Sequence, residues 1–173
     1  ATRLEESLER DIERIRQEIR EMSSLAERAL RDCVEALRDG DRQGAYAVIL
    51  RDQYIDEKEN EIDRLCLEFL VRQQPVGLHL RLAYSTIKIN LELERVGDYA
   101  ESVARHVLKL SALPPPAEAV MERIVEMADV AIPMIHDSIE AFVRQDPELA
   151  RKAMLAEPAV DALLGRLISE LID

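Results

Sequence analysis

Glu59 and Asp63 stand four residues apart, and so do Glu94 and Asp98. On a helix that spacing sets two acids side by side on one face. Both stripes extend. Asp52, Asp56, Glu59 and Asp63 follow one another at helical intervals, as do Glu94, Asp98 and Glu101. Like charges at this spacing destabilise a helix by roughly 0.2–0.5 kcal/mol per pair. Carboxylates gathered without counter-charges either raise one another's pKa or bind a cation. A solvated acidic face is the competing reading of either stripe alone. The chain holds 35 acids, so the spacing recurs by chance, and Glu101 has Arg105 one turn on as an ordinary ion-pair partner. Asp63 reaches only Leu67 and Glu59 at that interval. Two such stripes on neighbouring antiparallel helices weigh toward a site.

Hard or borderline cations suit this set, because carboxylates supply oxygen and nothing softer. No His stands one turn from the acids, so the Glu-x-x-His pattern of di-iron bundles is absent. Gly97 lies inside the second stripe. A mid-helix Gly costs ~1 kcal/mol relative to Ala, so it either opens space beside Asp98 or lets a neighbouring helix pack close. His79, His106 and His136 are scattered and read as surface or capping residues. No nucleophile–base constellation, Gly-rich phosphate loop or zinc spacing occurs, and no enzymatic activity is expected.

The acids must be held by helices. An apolar stripe of period 3.6 runs through Leu8, Ile12, Ile15, Ile19, Met22, Leu25, Ala26, Ala29, Leu30, Val34 and Leu37, and predicts a helix from about Thr2 to Asp39. Gly40-Asp41 ends it. A second helix is predicted from Asp41 to Arg72, ended by Gln73-Gln74-Pro75, and a third from Val76 to Leu110. Pro114-Pro115-Pro116 reads as a stiff linker. A fourth helix follows from Ala117 to Arg144, with a bend expected near Val130 because of Pro133. Asp146-Pro147 caps a fifth, expected to run unbroken to Asp173.

Composition sets the class. The chain has 173 residues, 3% aromatics and five Gly, and is rich in Leu, Ala, Glu and Arg, which favours an all-α fold. The net charge of −12 disfavours nucleic acid and anionic lipid, so contact with a membrane is expected only through partners. No apolar run approaches the ~20 residues that span a bilayer, and no leader sequence opens the chain. Cys33 and Cys66 fall among apolar helical positions and read as reduced core thiols. Together these features lead us to expect a cytoplasmic protein.

The chain also resembles itself at an offset of 105 residues, which pairs Ile19 with Ile124, Met22 with Met127, Ala26 with Ala131, Asp32 with Asp137, Glu35 with Glu140 and Asp41 with Asp146. The unit is three helices. A first bundle is expected over residues 1–112, and the first two helices of a second over 117–173. The counterpart of the third helix would fall at about 181–216, beyond the end of this sequence. Ile124, Met127, Ile135 and Ile139 would then lack a covering helix, and a homodimer is expected to supply one.

Leu93-Glu94-Arg95-Val96-Gly97-Asp98-Tyr99-Ala100, with Ile87 and Ile89 upstream, resembles the signature helix of the PhoU family of bacterial phosphate-uptake regulators. The preceding stretch is similar too: Val48-Ile49 to Asp52, Ile55-Asp56, Glu59-x-x-Ile62-Asp63-x-x-Cys66, Arg72-Gln73-Gln74-Pro75 and Leu80-Arg81-Leu82. The resemblance implies tandem three-helix bundles and a carboxylate metal site at Glu59, Asp63, Glu94 and Asp98, with Asp56 and Glu101 as further ligands. Iron, manganese, zinc, magnesium or calcium are the candidate ions. Leu164 and Ile168 stand where the first repeat has Glu59 and Asp63, so no second site is expected, and Ser102 stands where many members have Asn. The resemblance further implies a non-enzymatic regulator of phosphate uptake and phosphate-starvation signalling. Such a protein couples a phosphate ABC transporter ATPase to a sensor histidine kinase. The alternatives are a metal-buffering helical bundle and an accessory subunit of another phosphate transporter.

Overall fold

Six helices account for almost all of the computed structural model, which describes residues 2–172. They are α1 (Arg3–Asp39), α2 (Arg42–Gln73), α3 (Gly77–Leu110), α4 (Glu118–Arg144), α5 (Pro147–Met154) and α6 (Glu157–Ile172). No strand occurs among the described residues, so the chain is all-α as expected. Local chemistry sets the ends. Thr2 and Glu5 cap α1 reciprocally, the Thr2 hydroxyl taking the Glu5 N–H and the Glu5 carboxylate taking the Thr2 N–H. Gly40 ends α1 in the left-handed region at φ 62°. Gln74 does the same for α2 at φ 45°, and Pro75 behind it forbids continuation.

These short breaks fold α1, α2 and α3 back on one another as an antiparallel bundle. Ile15, Ile19 and Met22 of α1 meet Ile62, Cys66 and Phe69 of α2 and Leu82, Ala83 and Leu93 of α3, all buried. A second cluster fills the other end, from Cys33 and Ala36 through Ala45 and Val48 to Ala100, Ala104 and Val107. Burial pushes both thiols, Cys33 and Cys66, up to about 12, so they remain protonated core groups.

Beyond the prolines, α4 packs on α1, and α5 and α6 pack on α4. The α4 residues Ile139 and Val143 belong to the same apolar cluster as Ile15 and Phe69. Ile139 is therefore covered by the first bundle, contrary to the expectation that it awaits another helix; Ile124, Met127 and Ile135 are half-buried. Arg20 Nε of α1 donates to Glu140 Oε1 of α4 at 2.8 Å, and Arg144 Nε donates to the other oxygen at 2.9 Å. α4 continues through Pro133 without interruption.

The expected fifth helix is two helices. It breaks at Leu155-Ala156 because Pro158 has no N–H for the carbonyl of Met154 and its ring crowds that carbonyl. Pro158 then sits in the first turn of α6, where a missing donor costs nothing. Asp173, the expected last residue of that helix, lies outside the described residues.

Candidate metal centre

The acids lie along the seam between α2 and α3, and two contacts fix the register of that seam. Asn90 of α3 is fully buried, and its Nδ2 donates to the Glu59 carbonyl at 2.9 Å and to Asp63 Oδ1 at 3.0 Å. One end of this pairing sets Glu59 and Asp63 beside Asn90. Seven residues along α3, Gly97 packs against α2: a Cβ there would stand 2.9 Å from Ile55 Cδ1, 3.1 Å from Ile55 Cγ2 and 3.5 Å from Asp52 Oδ1. Gly97 therefore serves close helix packing, and through it brings Asp52 against α3.

This register gathers five acids closely. Oxygens of Asp56, Glu94 and Asp98 lie within 4.8 Å of one another, and so do oxygens of Asp52, Asp98 and Glu101. Asp98 belongs to both triads. Of the residues expected as ligands, Glu94 and Asp98 are brought together, with Asp56 and Glu101 beside them. Glu59 borders the first triad and shares its electrostatics, while Asp63 is turned to Asn90. Asp52 was not among the expected ligands. Its signal was present in the stripe that starts with it. Asn90 carried no signal, because a lone Asn among apolar positions does not declare its partner.

The electrostatics are those of crowded anions. Burial first, then the charge of Asp98, a hydrogen bond shared with Asp98, and the charges of Glu59 and Asp56 push the Glu94 carboxyl up to about 7. Burial, then Asp56, Glu101 and Asp98, push Asp52 up to about 6. Glu59 is raised by burial and then by Asp63, Asp56 and Asp98. Few cations oppose this. Arg105 Nε donates to Glu101 at 2.9 Å, whereas Lys58 is committed to Glu18 and Glu21 of α1 at 2.8 and 3.0 Å. The Asn90 carbonyl oxygen is buried and has no donor. Mutually repelling oxygens, half-buried at Asp52, Glu94 and Glu101 and exposed at Asp56 and Asp98, fit a hard cation, which would relieve the repulsion. The histidines take no part. His106 pairs with its own helix at the Ser102 carbonyl, 2.7 Å away, and His136 Nδ1 meets Glu27 Oε1 at 3.2 Å.

The chain matches the PhoU domain over residues 19–107 and 124–173. The chain belongs to the PhoU family. A "Phosphate-specific transport system accessory protein PhoU homolog" of Clostridium acetobutylicum is 32% identical over 166 residues, covering 95% of this chain and 75% of that protein. A relative of the same description from Pseudomonas putida is 30% identical over 162 residues, and there the chain spans 63% of the relative's length. The crystal structure of PhoU from Pseudomonas aeruginosa superposes with a TM-score of 0.88 at 30% identity, over 95% of this chain and 78% of that one. The α2–α3 acid seam lies inside the first matched segment.

Proposed function

We propose that this PhoU-family chain is a non-enzymatic accessory regulator of phosphate transport that binds a divalent or ferric ion on its α2–α3 seam. The observation that carries the metal reading is the pair of acid triads Asp56–Glu94–Asp98 and Asp52–Asp98–Glu101, which share Asp98 and each hold their oxygens within 4.8 Å of one another, with Glu59 alongside. These residues would hold the ion, and Asp63 would support it through Asn90. The bound ion would neutralise the seam and tie α2 to α3.

The regulatory reading rests on the relatives, which are described as accessory proteins of phosphate-specific transport systems. On it, the protein works in the cytoplasm as a homodimer, coupling a phosphate transporter ATPase to a sensor histidine kinase. No described helix is long and apolar enough to cross a membrane, which agrees with reaching the transporter through protein contacts. The organisation we propose is a first bundle over residues 1–112 and part of a second over 117–173, with α4 docked on the first.

The metal is tested by melting the metal-free protein with and without Mn(II) or Fe(III), beside the Glu94→Gln, Asp98→Asn double variant. Ion at a hundredfold excess over its Kd stabilises the native protein by about 2.7 kcal/mol through mass action. The variant should gain far less. Equal shifts, or none, mean that the acids are a solvated face. The regulatory role is tested separately: removing the protein should raise transcription of the phosphate transporter in phosphate-rich medium, and unchanged transcription would refute the role.

A further inference from the structure

The acidic ladder on the α2–α3 seam stops at Asn90. On α3, Asn90, Glu94, Asp98 and Glu101 follow one another at helical intervals of four, four and three residues. On α2 the matching positions are Asp63, Glu59, Asp56 and Asp52, all acids. The helices run antiparallel, so the rungs follow in order. Asp52 meets Asp98 and Glu101, Asp56 meets Glu94 and Asp98, and the last rung sets Glu59 and Asp63 beside Asn90. There α2 still supplies carboxylates, and α3 answers with an amide. That amide is closed to a cation on both sides. Its Nδ2 donates to the Glu59 carbonyl at 2.9 Å and to Asp63 Oδ1 at 3.0 Å, so its positive end faces α2. Exchanging its nitrogen and oxygen would set an acceptor against two acceptors, which fixes the assignment. Its oxygen is sealed from solvent and takes no hydrogen bond, so it offers nothing to an ion. An apolar residue at this fully buried position would avoid the orphaned oxygen, so packing alone does not account for the amide.

We infer that Asn90 limits the ion capacity of the seam: it holds Asp63 out of coordination and confines bound ions to the two triads that share Asp98. The inference rests on the metal reading and goes beyond it. It removes Asp63 from the ligands that the family resemblance implies, and it names the residue responsible. Asp63 Oδ1 already accepts from the amide, and a cation approaching it would meet the positive end of that donor. A carboxylate in place of the amide would complete a third rung with Glu59 and Asp63 and admit one more ion. Without metal, the same exchange adds repulsion beside Asp63 and weakens the fold. A buried Asn that serves only to fix the register of two helices would use the same two bonds. The number of ions bound separates the two roles.

The probe is Mn(II) with the full chain. Bound ions are counted by elemental analysis after gel filtration, and affinity is read by isothermal titration. We expect Asn90→Asp to hold one more Mn(II) per chain than the native protein. The Asn90→Asp, Asp63→Asn double variant should fall back to the native count. A residue that only sets register would lower stability in Asn90→Asp without adding an ion. Should Asn90→Asp not fold, which circular dichroism shows, Asp63→Asn alone decides. It should keep the native ion count and lose about tenfold or less in Mn(II) affinity, as for a group outside the coordination sphere. Asp98→Asn, which serves both triads, should abolish binding at the same concentration. An unchanged count in folded Asn90→Asp overturns the inference, and so does an Asp63→Asn loss as large as that of Asp98→Asn. A native protein that holds no Mn(II) refutes the metal reading itself, and this inference with it.

Discussion

Glu94 and Asp52 are carboxyls that the fold holds partly protonated near neutrality, pushed up to about 7 and about 6. The unfolded chain restores them to about 4.3 and 3.9. The folded state therefore binds more protons between roughly pH 4 and 7, and stability falls as pH rises through that window. Below the unfolded values the advantage is fully present, and above pH 7 it is gone. The general negative charge of the chain acts in the same direction, so the native curve alone does not isolate the site. Glu94→Gln should, because it removes one titrating group and keeps the shape. Denaturant melts at pH 5 and pH 8 should differ less for the variant than for the native protein, by about 1 kcal/mol after allowance for solvent screening. An equal pH dependence would mean that Glu94 is solvated like any surface acid.

At the scale of elements, the junction of α1 and α4 sets the Arg20–Glu140 ion pair into apolar contacts, with the His136–Glu27 contact beside it. Arg20 lowers the pKa of the Glu140 carboxyl, aided by Arg144, and both Arg20 and Glu140 are half-shielded from water. Arg20→Met keeps the apolar stem and removes the charge. We expect a loss of about 1 kcal/mol, seen as faster amide exchange in α4 with little change in α2 or α3. A loss spread evenly over all four helices would show that α4 is not a separable element. Helices and their ends were legible in the sequence wherever an apolar stripe met a strong stop, as at Gly40 and Pro75. The Leu155–Ala156 break was not, because Pro158 sits in an otherwise continuous pattern and a proline is compatible with the first turn of a new helix. The docking of α4 on α1 was equally hidden: Ile139 and Val143 read as core, but periodicity does not say whose core. Of the site, the acids and their stripes were legible, whereas the register that unites Asp52 with Asp98 depends on Asn90 and Gly97 across two helices.

For the whole molecule, burial is uneven. Helices α1 to α4 share one apolar cluster, while α6 contributes Leu163 as its single buried residue. A region with so few buried contacts opens at low free energy. Amides of α6 should exchange orders of magnitude faster than those of α1 around Ile15 and Ile19, and α1 to α3 should lose protection together. Comparable protection in α6 and α1 would point to a partner or a second copy covering α6.

Gly97 allows α2 and α3 to approach closely enough for acids from both to crowd, and that crowding opposes folding while the apolar core drives it. The two halves of the first bundle thus respond to different pressures. Under selection for heat resistance alone, drift would neutralise Asp52, Glu94 and Asp98 and leave a sturdier protein with a mute surface. The acid seam is written over the fold and can be rewritten without it, which makes it the part of the chain most open to acquiring a different ion or a different task.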